Sequence, residues 1–163
     1  MNERFSKTFT PAQAFTKAKH YCAYQERSHA EVKEKLYAFG LRKVDVETIL
    51  SQLIEENYLN EERYAKQFAG GKFRMKKWGR VKIIYELKQK RVSAYNIKEA
   101  LAEIDEEEYR NTLMKLAAAK WNSLKNDQHI IRQSKTQQYL LQKGYESNLI
   151  KAVISGIRKQ AEK

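Results

Sequence analysis

A chain of 163 residues is long enough for about one domain, and its single cysteine, Cys22, excludes an internal disulfide and a thiolate zinc site. Lysine and arginine number 32 against 20 aspartate and glutamate, a net charge of +12 that favours a partner with a negative surface (nucleic acid, a nucleoprotein or an acidic protein groove), with a solvated helical surface as the plain alternative. No stretch approaches the ~18 apolar residues of a membrane span and Met1–Thr10 carries no apolar leader segment, so a cytoplasmic protein is expected.

The sole proline follows Thr10 and precedes Gln13, which predicts a helix start with a capping threonine, proline at the first position and a glutamine returning a bond. That helix carries Phe15, Ala18 and Cys22 on one side. Ser28 and Glu31 predict a second capping box, opening a helix with Val32 and Leu36 inward, which Gly40 ends as a left-handed residue. Asp45 is expected to open a third helix. Asn60, with Glu61 and Glu62 behind it, predicts a helix reaching about Lys77, with Tyr58, Tyr64 and Phe68 on its core face. Trp78-Gly79 breaks the pattern, a helix follows to about Lys90, and Ser93 caps another ending near Ile104. A long helix from Asp105 to about Leu124 comes next. One from about Asp127 to Lys143 stops at Gly144, and Ser147 is expected to cap the last. The helical period holds throughout and alternating strand-like segments are absent, so the chain reads as all-α.

The apolar pattern is written three times. From Leu41, apolar residues follow at Val46, Ile49, Leu50 and Leu53; the same offsets from Val92 give Ile97, Ala100, Leu101 and Ile104, and from Tyr145 they give Ile150, Val153, Ile154 and Ile157. Each set has a leucine five residues upstream: Leu36, Leu87 and Leu140. A fixed period of this size marks stacked helical units, none able to hide its apolar face alone. The expectation is three tandem three-helix repeats, 11–57, 58–104 and 105–163, forming an elongated, curved array. Gly40 and Gly144 occupy equivalent turns, but the second repeat has Arg91 there. Arginine in the left-handed region costs about 1–2 kcal/mol against glycine, which leaves open a different turn geometry. Gly70-Gly71 interrupts a helix, where each glycine costs about 1 kcal/mol against alanine; close helix contact and a bend between units are the two readings.

The densest charge lies between Lys72 and Arg91. Lys72, Arg74, Lys76, Lys77, Arg80, Lys82, Lys88, Lys90 and Arg91 stand there against Glu86 alone, a local +8. These nine residues are the candidate contacts for an anionic partner, and Trp78 among them is placed either to stack on a base or to wedge the elbow between two helices. Six acids and no base lie between Asp45 and Glu62, and six more acids between Glu99 and Glu108. A consecutive run at a helix start points several ways around the axis, so it suits the helix dipole better than a two-metal site. His20 and Cys22 diverge by about 200° on one helix, and His29 and His129 are isolated, so no metal site is expected. Cys22 has no identifiable base or orienter, and no glycine loop cradles a phosphate. The sequence therefore predicts no catalytic group, no cofactor and no enzyme.

Three passages carry a family resemblance. They are Ser28-His29-Ala30-Glu31-Val32 through Gly40; Tyr58-Leu59-Asn60-Glu61-Glu62-Arg63-Tyr64-Ala65 through Trp78-Gly79 and Glu86-Leu87; and Tyr139-Leu140 to Lys143-Gly144-Tyr145. Together they resemble the RecX family, bacterial regulators of the recombinase RecA. The resemblance implies three three-helix units lying along the groove of a RecA filament, suppressing ATP hydrolysis and strand exchange without catalysis by the regulator. At the level of residues it carries over only to the basic second repeat. The implied partner is the RecA filament, with single-stranded DNA as a further contact, and the protein is expected to be a monomer. Direct, weakly sequence-specific DNA binding through the basic middle repeat is the alternative.

Overall fold

The computed structural model describes residues 8–162. Met1–Lys7, most of the segment read as lacking an apolar leader, and Lys163 lie outside the described residues. Among the described residues the elements are α1 (Pro11–Tyr24), α2 (His29–Ala38), α3 (Lys43–Glu55), α4 (Glu61–Gly71), a π-turn (Lys72–Lys76), α5 (Arg80–Gln89), α6 (Ala94–Ala102), α7 (Glu106–Ser123), α8 (His129–Lys143) and α9 (Ser147–Ala161). The protein is all-α, as its period predicts, and no helix among the described residues is long and apolar enough to cross a membrane. Backbone contacts divide it into two compact units. The first runs to Gln67 and includes Leu87–Glu99; the second comprises Phe68–Glu86 and everything from Ala100 onward.

In the first unit the predicted caps form. Thr10 Oγ1 accepts the Gln13 N–H at 3.2 Å and Gln13 Oε1 accepts the Thr10 N–H at 3.1 Å; Ser28 and Glu31 make the same reciprocal pair at 3.1 and 3.3 Å. Gly40 ends α2 with φ +82°. Helices α1, α2 and α3 close around Ala14, Ala18, Cys22, Val32, Leu36, Val46, Ile49 and Leu53, with Phe9, Phe15 and Leu50 packed at the margin. Two expectations are corrected. Arg42, not Asp45, caps α3, with no side-chain bond; Asp45 sits in the first turn, where it still meets the positive end of the dipole. Tyr58 is exposed, because it lies in the turn before α4 and off the helical face that buries Tyr64. That turn is clamped by Arg63, which pairs with Glu26 and donates to the Asn57 side chain and carbonyl, both at 3.1 Å, while Asn57 takes φ +63°.

The turn between α5 and α6 resolves the question raised by Arg91. Its φ is +59°, and the Val92 N–H reaches the Leu87 carbonyl at 3.1 Å, matching Tyr145 N–H to the Leu140 carbonyl at 3.2 Å in the turn built on Gly144, φ +94°. Arginine therefore bears the left-handed strain and the turn is conserved in shape. Leu87 is wholly buried beneath it. Truncating Leu87 to alanine is expected to cost about 2–5 kcal/mol of stability in denaturant titration; a loss near zero would contradict its place in the core.

The second unit packs α7, α8 and α9 on one another. Its interior includes Ile83, Leu113, Leu140, Ile150 and Ile154 and a chain of rings, Phe73, Tyr109 and Tyr145, with centroids 5.7 and 5.2 Å apart. Asp105 caps α7 by accepting the Glu108 N–H at 2.9 Å. Ser147 does not cap α9; Glu146 holds that position and makes no capping bond, since its carboxylate is engaged by Tyr109 and Arg80.

Candidate functional site

The basic segment begins where α4 changes its pitch. The sequence predicts one helix to about Lys77, but α-helical pairing ends at Gly71, and Lys72–Lys76 wind as a π-turn that closes on Lys77 at φ +59°. A π-turn holds one extra residue per turn and is common at functional positions. A β-carbon on Gly71 would meet nothing within 4 Å, and one on Gly70 would first meet the Arg74 guanidinium, 2.8 Å away. Close packing against another helix is therefore not the reason for Gly71, a correction to that reading.

Immediately after the π-turn the chain crosses the α8–α9 turn of the same unit at backbone distance. Gly79 N–H donates to the Lys143 carbonyl and Val81 N–H to the Gly144 carbonyl, both at 2.8 Å. Lys143 Nζ donates to the Lys76 carbonyl at 3.1 Å, and Tyr145 Oη to the Lys77 carbonyl at 2.9 Å. A β-carbon on Gly79 would stand 2.3 Å from the Gly144 oxygen, and one on Gly144 would stand 2.2 Å from the Lys82 β-carbon. Two glycines thus permit the contact that fixes the π-turn and the start of α5 on the second unit.

Arg80 secures the same junction from below. Its guanidinium lies 3.8 Å from the Tyr109 ring centre, donates to Glu146 at 2.8 Å and also pairs with Glu106. The Arg80 backbone N–H donates to the Tyr109 hydroxyl at 3.0 Å, and that hydroxyl donates to Glu146. Burial, then the bond to Glu146, pushes the Tyr109 phenol far above its ordinary range, so it remains a donor. Arg80 is itself pulled down by desolvation, but Glu146 and Glu106 more than offset this and its pKa is raised. Desolvation works to raise the Glu106 carboxyl as well; Arg80 first and then Arg110, which donates at 3.0 Å, hold it below the usual carboxylate range.

A carboxyl with a depressed folded-state pKa contributes stability above its unfolded value and loses it as pH falls through the folded one. Glu106→Gln is therefore expected to lower the urea midpoint at neutral pH, with the two proteins converging in acid. Parallel midpoint-against-pH curves would contradict the pairing.

The nine predicted contacts separate into distinct environments. Arg80 is a structural cation with two carboxylate partners. Lys90 pairs with Glu31 at 3.2 Å and, with Lys88 and Arg91, belongs to the first unit. In the second unit Arg74, Lys76 and Lys77 are exposed and pair with no carboxylate among the described residues. Lys72 and Lys82 flank Trp78: their Nζ atoms lie 5.1 and 4.5 Å from its ring centre, and the edge of Phe68 supports it at 6.3 Å. The structure thus brings together, on and beside the π-turn, five cations and one half-buried indole. Arg80's partners were missed from sequence, because Glu106 reads there as one of a run of dipole acids and Glu146 carries no signal. Cys22 lies in the first unit's core, and burial raises its thiol pKa.

Comparison with known proteins places this geometry among relatives. Two family models match, one described as the second three-helix domain of RecX over residues 60–101 and the other as its third three-helix domain over residues 106–154. A "Regulatory protein RecX" of Prosthecochloris aestuarii is 30% identical over 142 residues, covering 87% of this chain and 91% of that protein. A protein of the same name from Oceanobacillus iheyensis is 29% identical over 142 residues, 87% of this chain and 52% of the relative. The chain spans little more than half the length of several such curated relatives. The crystal structure of RecX from Lactobacillus salivarius superposes with a TM-score of 0.82 at 23% identity, covering 91% of this chain and 96% of that one, a likeness of fold.

Proposed function

This chain belongs to the RecX family of regulatory proteins, and on that premise we propose that it binds the RecA recombinase filament and lowers its ATPase and strand-exchange activities in recombination and DNA repair, with no catalysis of its own. The working modules are the three-helix repeats at 11–57, 58–104 and 105–163. On this reading the protein acts in the cytoplasm, as a monomer. The observation that carries the reading is the group of Lys72, Arg74, Lys76, Lys77 and Lys82 on the π-turn and α5, all but Lys72 and Lys82 strongly exposed and none paired with a described carboxylate. A recombinase filament on DNA is a repeating anionic assembly, the kind of surface such a cluster recognises. In the first unit, Lys88 and Arg91 are exposed as well, whereas Lys90 is paired with Glu31.

Co-sedimentation with RecA filaments tests it. The protein should pellet with filaments formed on single-stranded DNA and remain in the supernatant without them. A second reading, direct binding to DNA through the same segment, is favoured by Trp78 with a lysine on either side, since an indole flanked by cations suits a stacked base and its phosphates. Salt separates the two. Neutralising about six phosphates of a single strand gives a log–log slope near −4, whereas dependence on recombinase leaves little binding to naked DNA.

A further inference from the structure

A second aromatic–lysine arrangement lies on the α7–α8 face of the second unit. A cavity of about 210 Å³ is lined by Lys120, Lys135, Gln138, Tyr139 and Gln142. Tyr139 forms its half-buried wall. Lys120 Nζ sits 5.1 Å from the ring centre and Lys143 Nζ 6.0 Å from it. Lys135 is paired with Asp127 at 2.9 Å, so Lys120 is the lining cation left to meet a ligand, and Lys143 stands beside the ring outside the lining. Gln138 and Gln142 are one helical turn apart and so share a face, both exposed, each offering an amide with donor and acceptor. The volume is below the ~300 Å³ at which drug-sized sites begin, and suits one ring system.

From this constellation we propose that the cavity is a nucleotide subsite for single-stranded DNA: one base stacks on Tyr139, Gln138 and Gln142 hydrogen-bond its edge, and Lys120 and Lys143 hold the flanking phosphates. Three features distinguish it from a generic basic surface: an aromatic wall, a pair of amides and the Lys120 cation around a concavity of the right size, with Lys143 at its margin. Base–aromatic stacking tolerates any base, so the site takes a strand without strict sequence preference. Lys143 also bonds the Lys76 carbonyl, which places the cavity next to the π-turn within the same unit. The assignment needs no recombinase, so it stands or falls separately from the regulatory reading.

Fluorescence anisotropy of a labelled oligothymidylate at low salt is the test, on the full chain. Tyr139→Ala should weaken binding about ten-fold or more, and Tyr139→Phe should stay within about two-fold, because stacking needs the ring and not the hydroxyl. Lys120→Gln should reduce the salt slope by about 0.7, one phosphate on a single strand. A halogenated-uracil oligonucleotide should photocross-link to Tyr139 in the unmutated protein, a readout that does not depend on any variant folding. Unchanged affinity in Tyr139→Ala, or cross-links confined to other residues, would overturn the proposal. Thymidine monophosphate competing as well as the oligonucleotide would also overturn it, by assigning the cavity to a free nucleotide.

Discussion

Gly79→Ala should be among the most destabilising single changes in the second unit. The added β-carbon would lie 2.3 Å from the Gly144 carbonyl oxygen and 2.5 Å from the Tyr145 nitrogen. Both are backbone atoms, so no rotamer change relieves the clash. Overpacking usually costs about 1–3 kcal/mol, and here the upper end is expected, because two backbone bonds from Gly79 and Val81 must stretch together. Gly144→Ala adds left-handed strain of about 1–2 kcal/mol to a contact of 2.2 Å with Lys82. Gly71→Ala is the matched control: its site is open and right-handed, so the substitution should stabilise by about 0.5–1 kcal/mol. Urea denaturation followed by circular dichroism ranks the three. A Gly79→Ala protein within about 0.5 kcal/mol of the parent would show that the π-turn is not fixed to the α8–α9 turn.

Reversing Lys76, Lys77, Lys82 and Lys88 to glutamate should weaken partner binding by about 100-fold or more, roughly 1.4 kcal/mol per decade, since four charges change sign. Helicity should be unaltered. None of the four pairs with a described carboxylate, and the bond from Lys143 goes to the Lys76 backbone carbonyl, which the substitution keeps. Arg80→Ala should behave in the opposite sense. It strips Glu146 and Glu106 of a shared partner and uncovers the Tyr109 ring, so loss of stability dominates. Binding and stability are thereby separable among neighbours in sequence. An unchanged affinity in the fourfold variant would move the contact surface elsewhere.

Helix starts carried by reciprocal side-chain bonds were fully legible in the sequence: Thr10 with Gln13 and Ser28 with Glu31 encode their own geometry within four residues. Most of the buried face was legible too, because Leu36, Leu87 and Leu140 recur with their partners at fixed offsets, although Leu50, Leu101, Val153 and Ile157 are only half-buried. Caps that depend on distant partners were not. Ser147 lost its role because Glu146, which begins α9, is held by groups 37 and 66 residues away. The π-turn left no local trace beyond two glycines, since its position is set by backbone bonds to Lys143 and Gly144. Within the basic segment, sequence located the charge but not its division. Arg80 differs from Lys82 only through Glu106 and Glu146, and those pairings belong to tertiary structure. Tyr139 was visible as part of a family passage, yet the lysines beside it come from α7 and the end of α8.

The most direct measurement is the rate of ATP hydrolysis by RecA on single-stranded DNA as this protein is added to saturation. The proposed role requires the rate to fall in a dose-dependent way with the parent chain and to remain near its starting level with the Lys76, Lys77, Lys82 and Lys88 reversal. An undiminished rate at saturating parent protein, with filaments present, would contradict a regulator acting through this basic surface.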